Sequence, residues 1–470
     1  MTLKDPIIGF AAAAVGIRLI ALALDSQVRF FLGDSASYLG TAFGIWIPPD
    51  RSWLYGLGVN AILRLAPWLG AVILVQSLVS ATLPAGAAVM LRSMGVRRWL
   101  SWAALIMLSA DPMLLYYDRS IMTDAPAAAA VWLGIVFTVV GALRGGTWRW
   151  SCAAAAFWVA ICLRVTVLPL VLLALAWALM VNATSGGSAD DLEARRRHLI
   201  GPICLVAAVG AGLVAYAAVT GYVTHATPAL NPKTGYILLG VVAPILAPED
   251  FSGLGVRDPE GLLLETRHQN YKLRNNQIFS EGGLARRLEQ ELGSWQRASS
   301  AGSALARRSV LRDPRGFARL VAATAAEYLT PQAYVDRFEI SFGLSRPVPD
   351  ALVASLRKKV HDGVDADSPA RPSLVLAWLR NWVPAMPFVV WAALAAPVLT
   401  LVMLRQMPRP TRSVLLLLGA CTWTHALFTF ALSVELAHRY LLIFLPLLVS
   451  TFALQVDWWM GSESRPAMGR

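Results

Sequence analysis

The amino-acid sequence predicts an all-α, polytopic membrane protein with about ten transmembrane helices. Hydrophobic residues make up 56% of the 470-residue chain and charged residues only 15%, well below the roughly 25% that soluble domains carry. Tryptophan is frequent, with 17 residues, as expected of a protein that meets water at two membrane surfaces. This composition excludes a soluble globular domain.

Ten apolar runs have about the length that a helix needs to cross a bilayer. They cover residues 6–25, 68–91, 99–116, 124–143, 150–164, 165–181, 199–219, 382–404, 412–432 and 440–459. The first run ends in Ala21-Leu22-Ala23, which is similar to a signal-peptidase site. We expect an uncleaved helix instead, because the run is long enough to span and candidate functional residues follow it.

Arginine and lysine in short loops predict the orientation, because such residues favour the cytoplasmic side. The predicted cytoplasmic set is Lys4, Arg92, Arg97, Arg98, Arg144, Arg149, Arg195, Arg196, Arg197, Arg405, Arg409 and Arg412. Both termini are then cytoplasmic. The net charge of +12 lies mainly in these loops rather than on one soluble face, so we expect no nucleic acid partner.

The same topology predicts three units. An N-terminal transmembrane module covers 1–219 and includes a first outer loop at 26–67. A mixed, mainly helical extracytoplasmic loop domain covers 220–381, with amphipathic helices at Leu284–Leu292 and Ala304–Leu311. A C-terminal transmembrane module covers 382–470.

Ionisable residues at the ends of membrane spans are costly, and each is therefore a candidate functional residue. The outer ends carry four clusters and one further arginine. They are Asp34 with Tyr38; Arg51 with Tyr55; Tyr117, Asp118, Arg119 and Asp124; Glu435, His438 and Arg439; and Arg164.

Each cluster also has a structural interpretation. Asp34 followed by serines fits a helix N-cap, and Asp124 with Pro126 fits the start of a helix, with Asp124 as its cap and Pro126 in its first turn. Asp118 and Arg119 can pair with each other, and arginines near spans can extend to lipid headgroups. In combination, acids and arginines at the mouths of apolar helices suit a substrate with a lipid tail, a phosphate and a hydroxylated head.

The sequence predicts neither a disulfide nor a cofactor. The four cysteines (Cys152, Cys162, Cys204 and Cys421) fall in apolar stretches without a CxxC pair. No motif has the spacing of paired metal ligands, and arginines can neutralise a monophosphate. A divalent metal ion between acidic residues is the alternative.

These motifs resemble those of the membrane glycosyltransferases with the C-type fold (GT-C), above all the protein O-mannosyltransferases and the lipid A aminoarabinose transferases. Asp34 and Tyr38 match an Asp-x-x-x-Tyr motif of the first outer loop, and Arg51-Ser-Trp-Leu-Tyr55 is similar to an Arg-x-x-Leu-Tyr stretch. Tyr117 to Asp124 resembles the acidic, aromatic segment after the third helix. Arg439-Tyr440 ahead of Pro446 resembles the end of the last outer loop.

The resemblance implies an inverting glycosyltransferase that uses a polyprenyl-phosphate sugar donor. Its active site would lie on the periplasmic face of a bacterial cytoplasmic membrane, and its acceptor would be a hydroxyl of a lipid, glycan or protein. Asp34 is expected as general base, with Asp118 or Asp124 orienting the acceptor or the arginines.

The resemblance further implies that Arg51, Tyr55, Arg119, Arg164, His438 and Arg439 contact the donor phosphate or lipid, and that Tyr38, Tyr117 and Glu435 contact the acceptor or sugar. Two alternatives are a flippase or transporter of a lipid-linked sugar and a polysaccharide polymerase or ligase.

Overall fold

The described part of the chain is helical. The computed structural model describes residues 4–185, 192–264, 274–342, 350–360 and 373–462. Helix accounts for 82% of the structure, and the described residues form no strand. A single isolated bridge joins Arg29 to Ser120. The predicted all-α class is confirmed.

Twenty-two α-helices follow one another along the described residues. They are α1 Lys4–Leu24, α2 Leu32–Ala42, α3 Trp53–Leu65, α4 Leu69–Ser93, α5 Arg98–Ser109, α6 Pro112–Tyr117, α7 Asp124–Arg144, α8 Thr147–Leu163, α9 Leu168–Ser185, α10 Leu192–Thr224, α11 Thr234–Val242, α12 Pro259–Leu264, α13 Asn276–Phe279, α14 Leu284–Leu292, α15 Trp295–Arg312, α16 Pro314–Tyr328, α17 Pro331–Phe342, α18 Asp350–Lys359, α19 Leu374–Trp382, α20 Met386–Met403, α21 Arg409–Leu432 and α22 Leu441–Ser462. Short 3-10 turns lie between several of them.

Eight of the helical segments among the described residues are long and apolar enough to cross a membrane. They are Ile7–Leu24, Leu69–Ser93, Asp124–Arg144, Val165–Thr184, Leu199–Thr224, Leu374–Gln406, Arg409–Leu432 and His438–Gly461. The chain is thus a multi-pass helical membrane protein.

The other two runs of the predicted ten are helical but shorter. The run at 99–116 is divided into α5 and α6, because Asp111 caps a new helix that has Pro112 at its first position. The run at 150–164 forms α8, which has 17 residues.

Three of the short loops predicted as cytoplasmic meet at one end of the bundle. Met94 and Val96 line a common cavity with Arg144, Pro408 and Asp457, at the ends of four different spans. Asp457 accepts a hydrogen bond of 2.9 Å from the Arg97 main-chain N–H. The bundle therefore has one end that gathers arginine-rich loops.

The loop region divides between two cores. Helices α11 to α15 surround a hydrophobic core of their own, with Tyr236, Phe251 and Leu288 at its centre. Helices α16 and α17 instead pack on the main transmembrane core, to which they contribute Tyr328 and Tyr334. The second half of the described loop is thereby held against the membrane-spanning helices.

Two helix boundaries were predicted closely, and two N-cap assignments were wrong. The amphipathic run Leu284–Leu292 coincides with α14. Helix α7 begins at Asp124 with Pro126 in its first turn, but Thr123 rather than Asp124 occupies the cap position. Asp34 is not the N-cap of α2, because that helix begins two residues earlier and Phe31 occupies the cap position. The Asp34 side chain is therefore available for other contacts.

Candidate functional site

The first outer loop folds into two packed helices, α2 and α3. Gly56 of α3 lies so close to Thr41 of α2 that a Cβ at position 56 would be 2.6 Å from the Thr41 side chain, so only glycine fits there. Ser52 caps α3 by accepting a hydrogen bond of 3.3 Å from the Tyr55 N–H. This arrangement places Arg51 just before α3 and Asp34 in the first turn of α2.

The carboxylate of Asp34 lies between two arginines from distant parts of the chain. Its Oδ1 accepts a hydrogen bond of 2.6 Å from Nη2 of Arg51. Its Oδ2 accepts one of 2.8 Å from Nη1 of Arg439, which is 405 residues away in sequence. Both carboxylate oxygens are thus engaged by charge-assisted hydrogen bonds.

A second carboxylate, that of Asp124 at the start of α7, extends the group. Asp124 forms an ion pair with Arg164, which lies between α8 and α9. Arg439 Nε lies 3.7 Å from Asp124 Oδ1, so Arg439 bridges the two acids. We call Asp34, Arg51, Asp124, Arg164 and Arg439 the Asp34 cluster.

Aromatic rings border the arginines of this cluster. The guanidinium of Arg439 lies over the ring of Phe31 at 4.9 Å, and that of Arg164 lies over Tyr440 at 5.2 Å. Arg51 lies 5.9 Å from the ring of Phe279 in the loop domain. Such contacts favour and orient guanidinium groups, and the last one shows that the loop domain reaches the cluster.

The charges of the cluster determine the protonation state of Asp34. Burial raises the pKa of the Asp34 carboxyl, but the positive charges of Arg51, Arg439 and Arg164 more than offset this effect and lower that pKa to about 2. Asp34 is therefore ionised at neutral pH.

The cluster also retains hydrogen-bonding capacity. Arg51 pairs with Asp50 at 3.0 Å in addition to Asp34, so three arginines face three carboxylates. Among the described residues, Nε of Arg51 and Nε of Arg439 have no hydrogen-bond partner although both are buried. Buried unpaired N–H groups are costly, and an anionic ligand would satisfy them.

Three other predicted residues border the cluster. Tyr38, one turn after Asp34, shares a 3.1 Å hydrogen bond with Thr123 through its hydroxyl. Burial raises the pKa of the Tyr117 hydroxyl, and the positive charges of Arg439 and Arg164 in the cluster partly offset this rise. Glu435 pairs with Arg337 of α17.

Asp118 and Arg119 belong to a different group of buried charges, and the structure does not place them in the Asp34 cluster. Asp118 forms an ion pair of 2.9 Å with Arg18 from the first span, and both side chains are buried. Arg119 donates to main-chain carbonyls, among them that of Asp25 at 2.7 Å. These contacts tie α1 to the segment before α7. The pairing of Asp118 with Arg119 suggested by their adjacency is secondary to these contacts.

Tyr55 and His438 also point away from the cluster. The Tyr55 hydroxyl donates to the side chain of Gln76 within α4. The His438 ring is buried, and its Nε2 lies 3.1 Å from the main-chain oxygen of Tyr334. Their roles in phosphate binding remain predictions. His438 and Arg439 are adjacent in one 3-10 turn, yet His438 contacts Tyr334 and Arg439 contacts Asp34.

Sequence reasoning missed three charged residues. The signal for Arg18 is its position within an apolar span, because a charge there requires a buried partner. The signal for Asp50 is its position directly before Arg51. Arg337, in contrast, lies on an amphipathic helix where a charge is expected. Nothing in its local sequence indicates the contact with Glu435.

The described residues contain no group of three or more His, Cys, Asp or Glu side chains placed to hold a metal ion.

The chain was also compared with known proteins. No protein-family model, no curated protein and no solved structure matches it.

Proposed function

We propose that the protein is an inverting glycosyltransferase that moves a sugar from a polyprenyl-phosphate carrier to an acceptor hydroxyl. The observation that carries this proposal is the Asp34 carboxylate, held between Arg51 and Arg439 at 2.6 and 2.8 Å at the mouth of the membrane spans. A carboxylate beside several arginines provides both a proton acceptor and an anion site. The resemblance to GT-C glycosyltransferases points to the same reaction class.

The reaction is a single displacement at the anomeric carbon. The acceptor oxygen forms a bond to that carbon while the bond from the carbon to the phosphate oxygen breaks. The electron pair of the broken bond leaves with the lipid phosphate, and the acceptor proton goes to Asp34. A phosphate leaves readily, so the reaction needs a base and charge stabilisation rather than a general acid.

The arginines take part in this step by exchanging partners. In the present arrangement they neutralise Asp34 and hold the pKa of its carboxyl at about 2, which makes it a weak base. A donor phosphate competes for the same guanidinium groups. The Nε atoms of Arg51 and Arg439, which have no hydrogen-bond partner among the described residues, are available to it. When an arginine turns to the phosphate, the pKa of Asp34 rises and the carboxylate becomes a better base.

Arg439 and Arg164 suit the phosphate role because they lie where two spans begin. Arg439 lies in the 3-10 turn that leads into Leu441–Ser462, and Arg164 precedes Leu168–Ser185. A carrier lipid that enters between helices from the bilayer would place its phosphate at this depth. Planar guanidinium groups bind phosphate oxygens in pairs, which lysine cannot do.

The decisive experiment compares cells that lack the protein, cells with the native chain and cells with Asp34→Asn at equal abundance. Mass spectrometry of envelope glycans and glycolipids is the measurement. We expect the deletion to remove one glycosyl unit and only the native chain to restore it. In a purified assay Asp34→Asn should lower the transfer rate by about 10²–10⁴-fold, the range for loss of a general base.

Asp336→Asn is the matched control, because Asp336 is exposed on α17 and its carboxylate contacts Gln332. It should restore the glycosyl unit fully. Full restoration by Asp34→Asn would remove the base from the proposal and favour a transporter of a lipid-linked sugar, which needs the arginines but no proton acceptor.

A further inference from the structure

A cavity of about 520 Å³ lies at the end of the helix bundle where the arginine-rich loops meet. Its walls come from the ends of four different spans, represented by Ser93, Arg144, Thr411 and Asp457. Two residues of the Asp34 cluster lie at the opposite ends of two of these helices: Asp124 is the first residue of α7 and Arg439 lies just before α22. The cavity therefore lies at the other membrane–water boundary.

The cavity lining includes the cation Arg144. Among the described residues no carboxylate lies within ion-pair distance of Arg144, the last residue of α7. Asp457, the one acid in the lining, is already compensated by Arg97, through the main-chain N–H at 2.9 Å and through Nε at 3.9 Å. The charge of Arg144 thus remains available to an anion.

The remaining lining contains both apolar and polar residues. Leu143, Leu454 and Trp458 supply apolar surface, and tryptophan is typical of the membrane interface. Thr411 lies in the first turn of the 24-residue helix α21, whose unpaired N–H groups favour negative charge. The cavity is suited to an anion attached to an apolar chain.

We propose that this cavity binds the phosphate headgroup of an anionic phospholipid. Basic pockets between transmembrane helices are the usual sites for such headgroups. Arginines of the neighbouring loops add a positive field that attracts anionic lipid to this face; they include Arg92, Arg98, Arg405, Arg409 and Arg412. This inference does not depend on the reaction at the Asp34 cluster.

The test is native mass spectrometry of the purified full-length chain with added phosphatidylglycerol or phosphatidylcholine. We expect phosphatidylglycerol to be retained preferentially. Arg144→Gln should weaken its binding by about tenfold through loss of a charge-assisted hydrogen bond, and Arg144→Lys should recover part of the loss.

Arg149→Gln is the matched control. Arg149 lies in the same loop region but stacks on Trp148 and bonds the Gly145 carbonyl, outside the cavity lining. The Arg149→Gln substitution should leave phosphatidylglycerol binding unchanged. Equal retention of the two lipids, or unchanged phosphatidylglycerol binding in Arg144→Gln, would overturn the proposal.

A third measurement separates a lipid headgroup from free phosphate. Millimolar inorganic phosphate should not displace phosphatidylglycerol, because the apolar wall contributes to binding only for the lipid. Displacement at that concentration would show that the cavity takes the free anion instead. Thermal unfolding of each variant verifies that the exposed substitutions at positions 144 and 149 preserve the fold.

Discussion

At the scale of single residues, Asp34 and Arg439 define the candidate site. Arg439 contacts both acids of the cluster, with a 2.8 Å hydrogen bond to Asp34 and a 3.7 Å contact to Asp124. The cluster is largely enclosed, with the side chains of Asp34 and Arg439 each 16% exposed. Charge interactions are stronger in such surroundings than in water, and a ligand anion must therefore compete with the two carboxylates for the arginines.

The first prediction concerns the pH dependence of transfer. Arg51→Gln removes a positive charge from Asp34, so the pKa of Asp34 should rise above its native value of about 2. In the native chain Asp34 stays ionised across pH 5–9, and no acid limb from this group is expected there. In Arg51→Gln the acid limb of kcat/KM should move to higher pH, as a profile from pH 4 to 9 would show.

Arg307→Gln is the control for that profile, since Arg307 is exposed on α15. It removes the same charge from a distant surface and should leave the profile unchanged. Identical acid limbs in the native and Arg51→Gln proteins would contradict the assignment of Asp34 as the base.

At the scale of helices, α16 and α17 support the segment that carries Arg439. The Tyr328 hydroxyl accepts a 3.0 Å hydrogen bond from the Ala437 N–H. The Tyr334 carbonyl contacts His438 at 3.1 Å, and Arg337 pairs with Glu435. Three successive contacts thus hold residues 435–438 against the loop region. The burial that these contacts impose raises the pKa of the Glu435 carboxyl, partly offset by the charges of Arg337 and Arg439.

The second prediction tests this support. Tyr328→Phe leaves the buried Ala437 N–H without its acceptor, at a cost of about 1–3 kcal/mol. We expect a severalfold higher apparent KM for the donor, because Arg439 loses its fixed position. Tyr222→Phe, at a side chain that is 82% exposed, should leave the KM unchanged. Equal KM values in the two variants would rule out a supporting role for Tyr328.

Close packing of α7 on α8 is a second feature at this scale. A Cβ at Gly134 would overlap the buried ring of Phe157, so this glycine lets the two helices approach. Small residues commonly serve this purpose between membrane helices. The tight contact helps to align Asp124 at the start of α7 with Arg164 at the end of α8.

The third prediction follows from that contact. Gly134→Ala should lower the free energy of unfolding by about 1–3 kcal/mol through overpacking. Gly16→Ala is the matched control within a span, because a Cβ at Gly16 meets nothing within 4 Å. Thermal unfolding in detergent measures the stability of both variants. A loss of stability in Gly16→Ala as large as that in Gly134→Ala would contradict the packing argument.

At the scale of the whole molecule, the helix bundle separates two chemically different ends. One end gathers Asp34, Asp124 and their arginines beneath the loop domain. The other gathers arginine-rich short loops around the 520 Å³ cavity. Because such loops favour the cytoplasmic side, the cluster end is predicted to face outward.

The fourth prediction tests this orientation by cysteine labelling in a chain with its four native cysteines replaced. Phe279→Cys, in the loop domain and 54% exposed, should react with a membrane-impermeant maleimide in intact cells. Trp148→Cys, in a predicted cytoplasmic loop and 57% exposed, should react only after permeabilisation. The reverse pattern would invert the assigned topology.

The sequence by itself determined the class of the protein and the candidates for its site. Hydropathy is a local property, so runs of apolar residues predict membrane helices without knowledge of their neighbours. The cost of charges near a bilayer likewise singled out Asp34, Arg51, Asp124, Arg164 and Arg439. All five are found together.

The tertiary structure alone decided which candidates meet. Asp118 was a candidate on the same grounds as Asp124, yet it pairs with Arg18, whereas Asp124 contacts Arg164 and Arg439. His438 and Arg439 are adjacent, yet one faces α17 and the other faces Asp34. Local spacing could not separate these cases, because such contacts join residues up to 405 positions apart and depend on how the helices pack.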